Sequence, residues 1–220
     1  MIPGIVAGQM LLAGGGSAGA WDPVDVSMGV GSVAFTFADA NARMGNPFAF
    51  GTNAKGTARN TTSKTSGKRY VEIKLHTYGG FPIFGLAWGF SSTPDSYDYN
   101  WSNSGNKNAT WRAPNGTLYS YGTTNSDGSN SGSLILPFGT DDVFQMGIEI
   151  GVGLTFFAIN GGTPVDVSAS VPFTEADVKV FATLGTGPSG DGGSDADLSI
   201  FTTAATQDFS AFAGHTAWDD

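Results

Sequence analysis

Two histidines, His76 and His215, and three glutamates, Glu72, Glu149 and Glu175, are the scarce reactive groups of this 220-residue chain, which has no cysteine. Absence of cysteine removes disulfides, thiolate nucleophiles and Cys-based zinc sites together. No HExxH, GxSxG or P-loop pattern occurs, so hydrolysis by a triad or by zinc is not expected. A pair of carboxylates could still serve a glycoside hydrolase or lyase, and Glu72 and Glu149 both fall on polar faces of strand-like runs. Neither belongs to a dense acidic cluster, since Glu149 stands alone in Ile148-Glu149-Ile150-Gly151. The expectation is a protein that is not an enzyme.

Binding chemistry is better represented. Tyr97, Tyr99 and Trp101 are interleaved with Asp, Asn and Ser, a mixture that stacks on sugar rings or anchors a protein interface. They form the candidate ligand or partner surface, with local loop packing as the competing reading. Trp111 and Tyr119, by contrast, are expected to close a sheet edge. Asp191, Asp195 and Asp197 lie close together in a Gly-rich stretch and offer hard oxygen ligands, which makes them weak candidates for calcium. Their spacing is not that of an EF-hand, and a solvated acidic turn is the expectation; no cofactor is assigned. Asn-x-Ser/Thr sequons begin at Asn60, Asn100, Asn108 and Asn115 and are read as coincidences of composition.

These groups must be carried by strands. Charged residues are only 13% while Gly numbers 33, a balance that favours short strands and many turns. Val33, Phe35 and Phe37 alternate with Ala34, Thr36 and Ala38. In 69–76, Val71, Ile73 and Leu75 form one face, and Tyr70, Glu72, Lys74 and His76 the other. Residues 83–90 are more continuously apolar and fit a central strand. Residues 142–150 and 154–160 form a hairpin about Gly151-Val152-Gly153, burying Phe144, Met146, Ile148 and Ile150. Strands are also expected over 178–184 and 198–202, loops over 51–67 and 91–133, and one helical turn where Thr174 and Asp177 resemble a capping box.

One domain is the default at this length, with 16 Phe and 5 Trp to supply its core. Residues 1–20 stand apart as a Gly-rich, uncharged arm before a domain spanning 21–220. Ile2, Ile5, Val6, Met10, Leu11 and Leu12 are costly to leave in water, so the arm is expected to dock on another subunit. Its apolar run is too short to span a membrane and lacks the basic residues of an export signal. A formal net charge of -9 argues against nucleic acid as a partner.

Three segments resemble the SPRY family. Ser66-Gly67-Lys68-Arg69-Tyr70-Val71-Glu72-Ile73 is similar to its "SGKxYxE" strand entry. Gly85-Leu86-Ala87 and, later, Leu118-Tyr119-Ser120-Tyr121-Gly122 are similar to its "GVG(V/L)A" strand and "LYxNG" hairpin. Residues 142–161, closing on Phe156-Phe157-Ala158-Ile159-Asn160-Gly161, resemble "GDVIGxxxDxxxGTIxFxxNG", although Gln145 and Glu149 are not the family's usual choices. The resemblance implies an all-β fold: an antiparallel β-sandwich, a SPRY or concanavalin-like (B30.2-like) jelly roll, here with an extended N-terminal arm. It also implies a binding scaffold without catalytic residues, in a family found in many contexts, including bacteriophage virion proteins. With the arm and the absence of cysteine, the expectation by analogy is a tail, fibre or head-decoration protein, made in the bacterial host cytoplasm and carried in the virion. Its partners would be other virion proteins or copies of itself, with a host surface glycan as a further ligand. A free carbohydrate-binding module is the alternative reading.

Overall fold

The structure is a computed structural model that describes residues 20–28, 35–45, 55–78, 86–91, 108–112, 119–123, 138–168, 175–185 and 196–220. Its strands in chain order are β1 (Trp21–Met28), β2 (Thr36–Ala38), β3 (Arg43–Gly45), β4 (Lys55–Asn60), β5 (Gly67–Tyr78), β6 (Leu86–Ser91) and β7 (Asn108–Arg112). There follow β8 (Tyr119–Thr123), β9 (Val143–Ile150), β10 (Leu154–Ile159), β11 (Val165–Asp166), β12 (Lys179–Gly185), β13 (Ala196–Phe201) and β14 (Thr216–Ala217). They make two sheets, a six-stranded one ordered β1-β4-β12-β6-β7-β8 and an eight-stranded one ordered β11-β10-β9-β5-β13-β3-β2, with β14 added on β5. Every pairing between these strands is antiparallel except β14 on β5.

Strand alternation builds the layer between the sheets. Val71, Ile73 and Leu75 of β5 meet Phe144, Met146 and Ile148 of β9, and all join one buried cluster with Trp88, Phe90, Val180, Ala182 and Leu184 of the opposite sheet. Trp88 stacks on Phe144 with ring centroids 4.2 Å apart, tying the sheets face to face. Fully burying each such side chain contributes about 1.5–3 kcal/mol, so the core needs no cross-link to close. Among the described residues, no helix is long and apolar enough to cross a membrane.

The expected hairpin is β9 and β10, in register from Glu149 opposite Leu154 to Phe144 opposite Ile159. Gly151 and Gly153 at its tip take φ of 82° and 87°, which side chains with a Cβ resist. The central placement of residues 86–90 also holds, since β6 lies between β12 and β7.

The loop-rich stretch expected over 91–133 contains two strands, β7 and β8, which end the six-stranded sheet, and two further expectations are corrected. Within the supposed loop 51–67, β4 is an interior strand between β1 and β12. Its described inward residues are Ala58 and the buried amide of Asn60, while Arg59, on the other face, is held by Asp25. A strand that buries an alanine leaves almost no hydrophobic periodicity to read. The second correction concerns Asp177, which has φ of 60° in a bend and starts no helical turn; Thr174 lies outside the described residues. The next residue, Val178, commits both backbone groups to Lys64, at 2.7 and 2.8 Å, so the chain turns directly into a sheet bridge.

Candidate functional site

The outer face of the eight-stranded sheet is not open. After β13 the chain crosses over β5, β9 and β10 as a strap and rejoins the sheet as β14, pairing Thr216 with Arg69 and Ala217 with Tyr70. Phe212 packs edge-on against Tyr70 at 4.9 Å and shares a second buried cluster with it and Ala158. Gly147 and Gly161 make room for the strap: a Cβ at Gly147 would lie 2.7 Å from the Phe212 ring, and one at Gly161 2.7 Å from Phe209. Beyond β14, Trp218 enters the main core and stacks on Phe90 at 5.7 Å. Asp219 then accepts from Thr62 Oγ1 at 2.6 Å and pairs with Lys64 at 3.3 Å.

Under the strap lies a connected polar network. Tyr70 OH donates to Glu72 Oε1 at 2.7 Å, and Gln145 Nε2 donates to Tyr70 OH at 2.7 Å. Gly161 N–H donates to Gln145 Oε1 at 2.6 Å, which joins the network to the Asn160-Gly161 turn. The strap contributes two backbone donors, Asp208 N–H to Glu72 Oε2 at 2.8 Å and Phe209 N–H to Glu72 Oε1 at 3.0 Å. Burial raises the Glu72 carboxyl above its ordinary value and outweighs these hydrogen bonds. Burial likewise pushes the Tyr70 phenol up, with the neighbouring carboxylate adding to the shift. Glu72 therefore faces outward as expected, yet is fully buried beneath the strap.

The two carboxylates weighed for glycoside chemistry are not a pair. Glu72 is opposite Gln145, whereas Glu149 is opposite Lys68, four residues along β5. At the rise of an antiparallel strand that is roughly 13 Å, beyond the roughly 5–9.5 Å that separates glycosidase carboxyls. Glu149 instead pairs with Lys68 at 3.1 Å.

Sequence reading missed one juxtaposition: His76 Nε2 lies 2.8 Å from Ser199 Oγ. Burial, then the charge of Arg43, lowers the His76 pKa, so the imidazole is a neutral partner for the hydroxyl. Ser199 is nevertheless buried in mid-strand, paired with Lys74 on one side and Arg43 on the other. The adjacent Ile200 N–H is spent on Ala42 O at 2.9 Å, leaving that donor unable to serve a developing oxyanion.

Asp197, expected in a loop, is instead in β13, where Arg43 Nε donates to both carboxylate oxygens at 2.8 and 2.9 Å. A guanidinium in that position competes with any cation, and no group of three or more metal-ligating side chains occurs among the described residues. Asp25 is held similarly: burial alone would raise it, but hydrogen bonds from Arg59 and Lys179 outweigh that and hold it below the ordinary carboxylate value. Asn60 is fully buried, accepting from Val180 N–H at 2.9 Å, so its sequon cannot carry a glycan in the folded chain. Tyr97, Tyr99, Trp101, Asp191, Asp195 and the arm residues Ile2, Ile5, Val6, Met10, Leu11 and Leu12 lie outside the described residues. The topology gives only that 92–107, containing the three aromatics, connect β6 to β7.

The architecture is shared with known proteins at low sequence identity. The SPRY domain of human HERC1 superposes with a TM-score of 0.55 at 17% identity, covering 82% of this chain and 96% of that one. The carbohydrate recognition domain of Emp46p, in its potassium-bound form, gives 0.54 at 10% identity over 82% of this chain and 88% of its own. That of Emp47p gives 0.54 at 12% identity over 80% and 88%. The all-β fold is thus a two-sheet antiparallel sandwich of the SPRY and lectin-like kind. No protein-family model and no curated protein sequence matches the chain.

Proposed function

We propose that this chain is a non-enzymatic module acting through assembly and surface recognition, in the setting of a bacteriophage virion as a tail, fibre or head-decoration protein. The observation that carries the non-catalytic reading is the commitment of Glu72, whose carboxylate takes two backbone donors and one phenol while fully buried. Its partners are the overlying strap and the adjacent Tyr70, so the residue holds the fold closed and is not available to a substrate. Low charge, absence of cysteine and the apolar Gly-rich segment 1–20 support the virion setting, with its own copies or other virion proteins as partners. The test is whether the chain co-purifies with a particle from infected cells, and whether deleting residues 1–20 abolishes incorporation. Incorporation unchanged by the deletion rejects the assembly role of the arm. Cleavage of a polysaccharide by the purified chain, lost in Glu149→Gln, rejects the non-enzymatic reading.

Likeness to the Emp46p and Emp47p carbohydrate recognition domains favours a second reading, a glycan-binding module. It assigns recognition to Tyr97, Tyr99 and Trp101, and glycan-array binding that survives Trp101→Ala counts against that surface. Calcium is assigned no role, and a ligand affinity unchanged by a chelator is the expected result.

A further inference from the structure

His215 sits where the strap crosses β9, and its Nε2 is buried without a hydrogen-bond partner. A Cβ on Gly147 would lie 3.1 Å from that nitrogen, so the ring rests directly on the backbone of the strand. Phe156 of β10 and Phe212 of the strap meet it edge-on at 5.4 and 5.9 Å, closing the apolar sides. The other ring nitrogen, Nδ1, lies 3.4 Å from Ala213 O on the strap itself. Of the charged groups around the ring, Lys68 of β5 disfavours a positive imidazole and Glu149 of β9 favours one, and the two are already paired with each other.

We propose that His215 is an acid-operated catch on the strap: the neutral ring seals it onto Gly147, and protonation at Nε2 places a cation with no acceptor against β9 and lifts the segment around Phe212 and His215. A protonated Nε2 must donate, and where it lies against Gly147 and the two phenyl rings it has no hydrogen-bond partner among the described residues. Swinging outward relieves this, because Glu149, two residues beyond Gly147 on the same face of β9, can then accept from it. Burial lowers the His215 pKa, in agreement with this geometry. The sign follows: the stabilisation is complete above the ordinary histidine value of 6.5 and is lost as pH falls from there through the lower folded value. Glu72, beneath another part of the strap, is shifted in the opposite direction, so the imidazole must be isolated by comparing variants.

The experiment is hydrogen exchange of peptides within residues 203–217, corrected for intrinsic rates, at about pH 7.5 and about pH 5.5, on the full chain and on His215→Phe. For one proton taken up only by the open form, the opening equilibrium rises about tenfold between those values. The expected result is a rise of that order in the wild type, absent in His215→Phe, which keeps the ring packing and cannot ionise. Should His215→Phe not fold, His215→Gln takes its place, and His76→Asn must leave the rise intact. An equal rise in wild type and His215 variant, or none in the wild type, overturns the proposal.

Discussion

Replacing Glu72 by Gln should destabilise the protein, and more in acid than at neutral pH. The carboxylate serves three donors through two oxygens, Tyr70 OH and Phe209 N–H on one and Asp208 N–H on the other. In acid the protonated wild-type carboxyl still keeps a hydroxyl oxygen that can accept, whereas glutamine puts an NH₂ there that cannot, so one buried donor goes unmet at a cost of about 1–3 kcal/mol. The wild type, however, carries a handicap that the variant lacks, since burial raises the Glu72 carboxyl above its ordinary 4.5. An acid whose pKa is raised by folding contributes stability below its unfolded value and loses it as pH rises through its folded value. The deficit of Glu72→Gln should therefore be largest below about pH 4.5 and narrow toward neutrality, by about 1.4 kcal/mol for each unit of the raise. Urea denaturation of both proteins across about pH 4 to 8 reads the difference, in which all other titrating groups cancel to first order. A deficit that is constant or grows with pH refutes the reasoning.

Gly147→Ala drives a methyl into the Phe212 and His215 rings and should cost about 1–3 kcal/mol, with protection lost first over residues 209–215 in hydrogen exchange. Phe144→Ala removes the ring that joins Trp88 to Phe157 and should cost about 3–5 kcal/mol in urea denaturation without changing the sheet signature in circular dichroism. Ala40→Gly should stabilise by about 0.5–1 kcal/mol, raising the melting temperature, because Ala40 holds φ 54° and ψ 37° between two further left-handed residues, Asp39 and Asn41.

What was legible in the sequence was whatever alternated. Val71, Ile73 and Leu75, and Phe144, Met146 and Ile148, each mark one face at period two, and those positions form the centre of the core. Strand β4 was hidden because Ala58 is its one described apolar inward side chain and Asn60, inward beside it, is polar. The strap was hidden for a different reason: it is not a regular element, and Phe209 and Phe212 acquire their burial only from glycines on distant strands. Periodicity reports local geometry, whereas a segment that docks into gaps left at Gly147 and Gly161 is specified by pairs roughly fifty residues and more apart. Glu72 was misread on the same account, since alternation correctly turns it outward but cannot reveal what lies over it. The Ser199–His76 contact joins β13 to β5, and no spacing rule links residues 123 positions apart.

Because Trp218 plugs the layer between the sheets and β14 pairs alongside β5, the strand that follows all the others in chain order is a keystone of the fold. Arg69 must wait for a partner 147 positions downstream, and until then β5 offers a ribosome-bound chain an unfinished edge and Glu72 an open, wetted cleft. Fragments truncated before residue 216 should thus be collapsed but leaky, inclined to borrow the missing piece from a neighbouring copy.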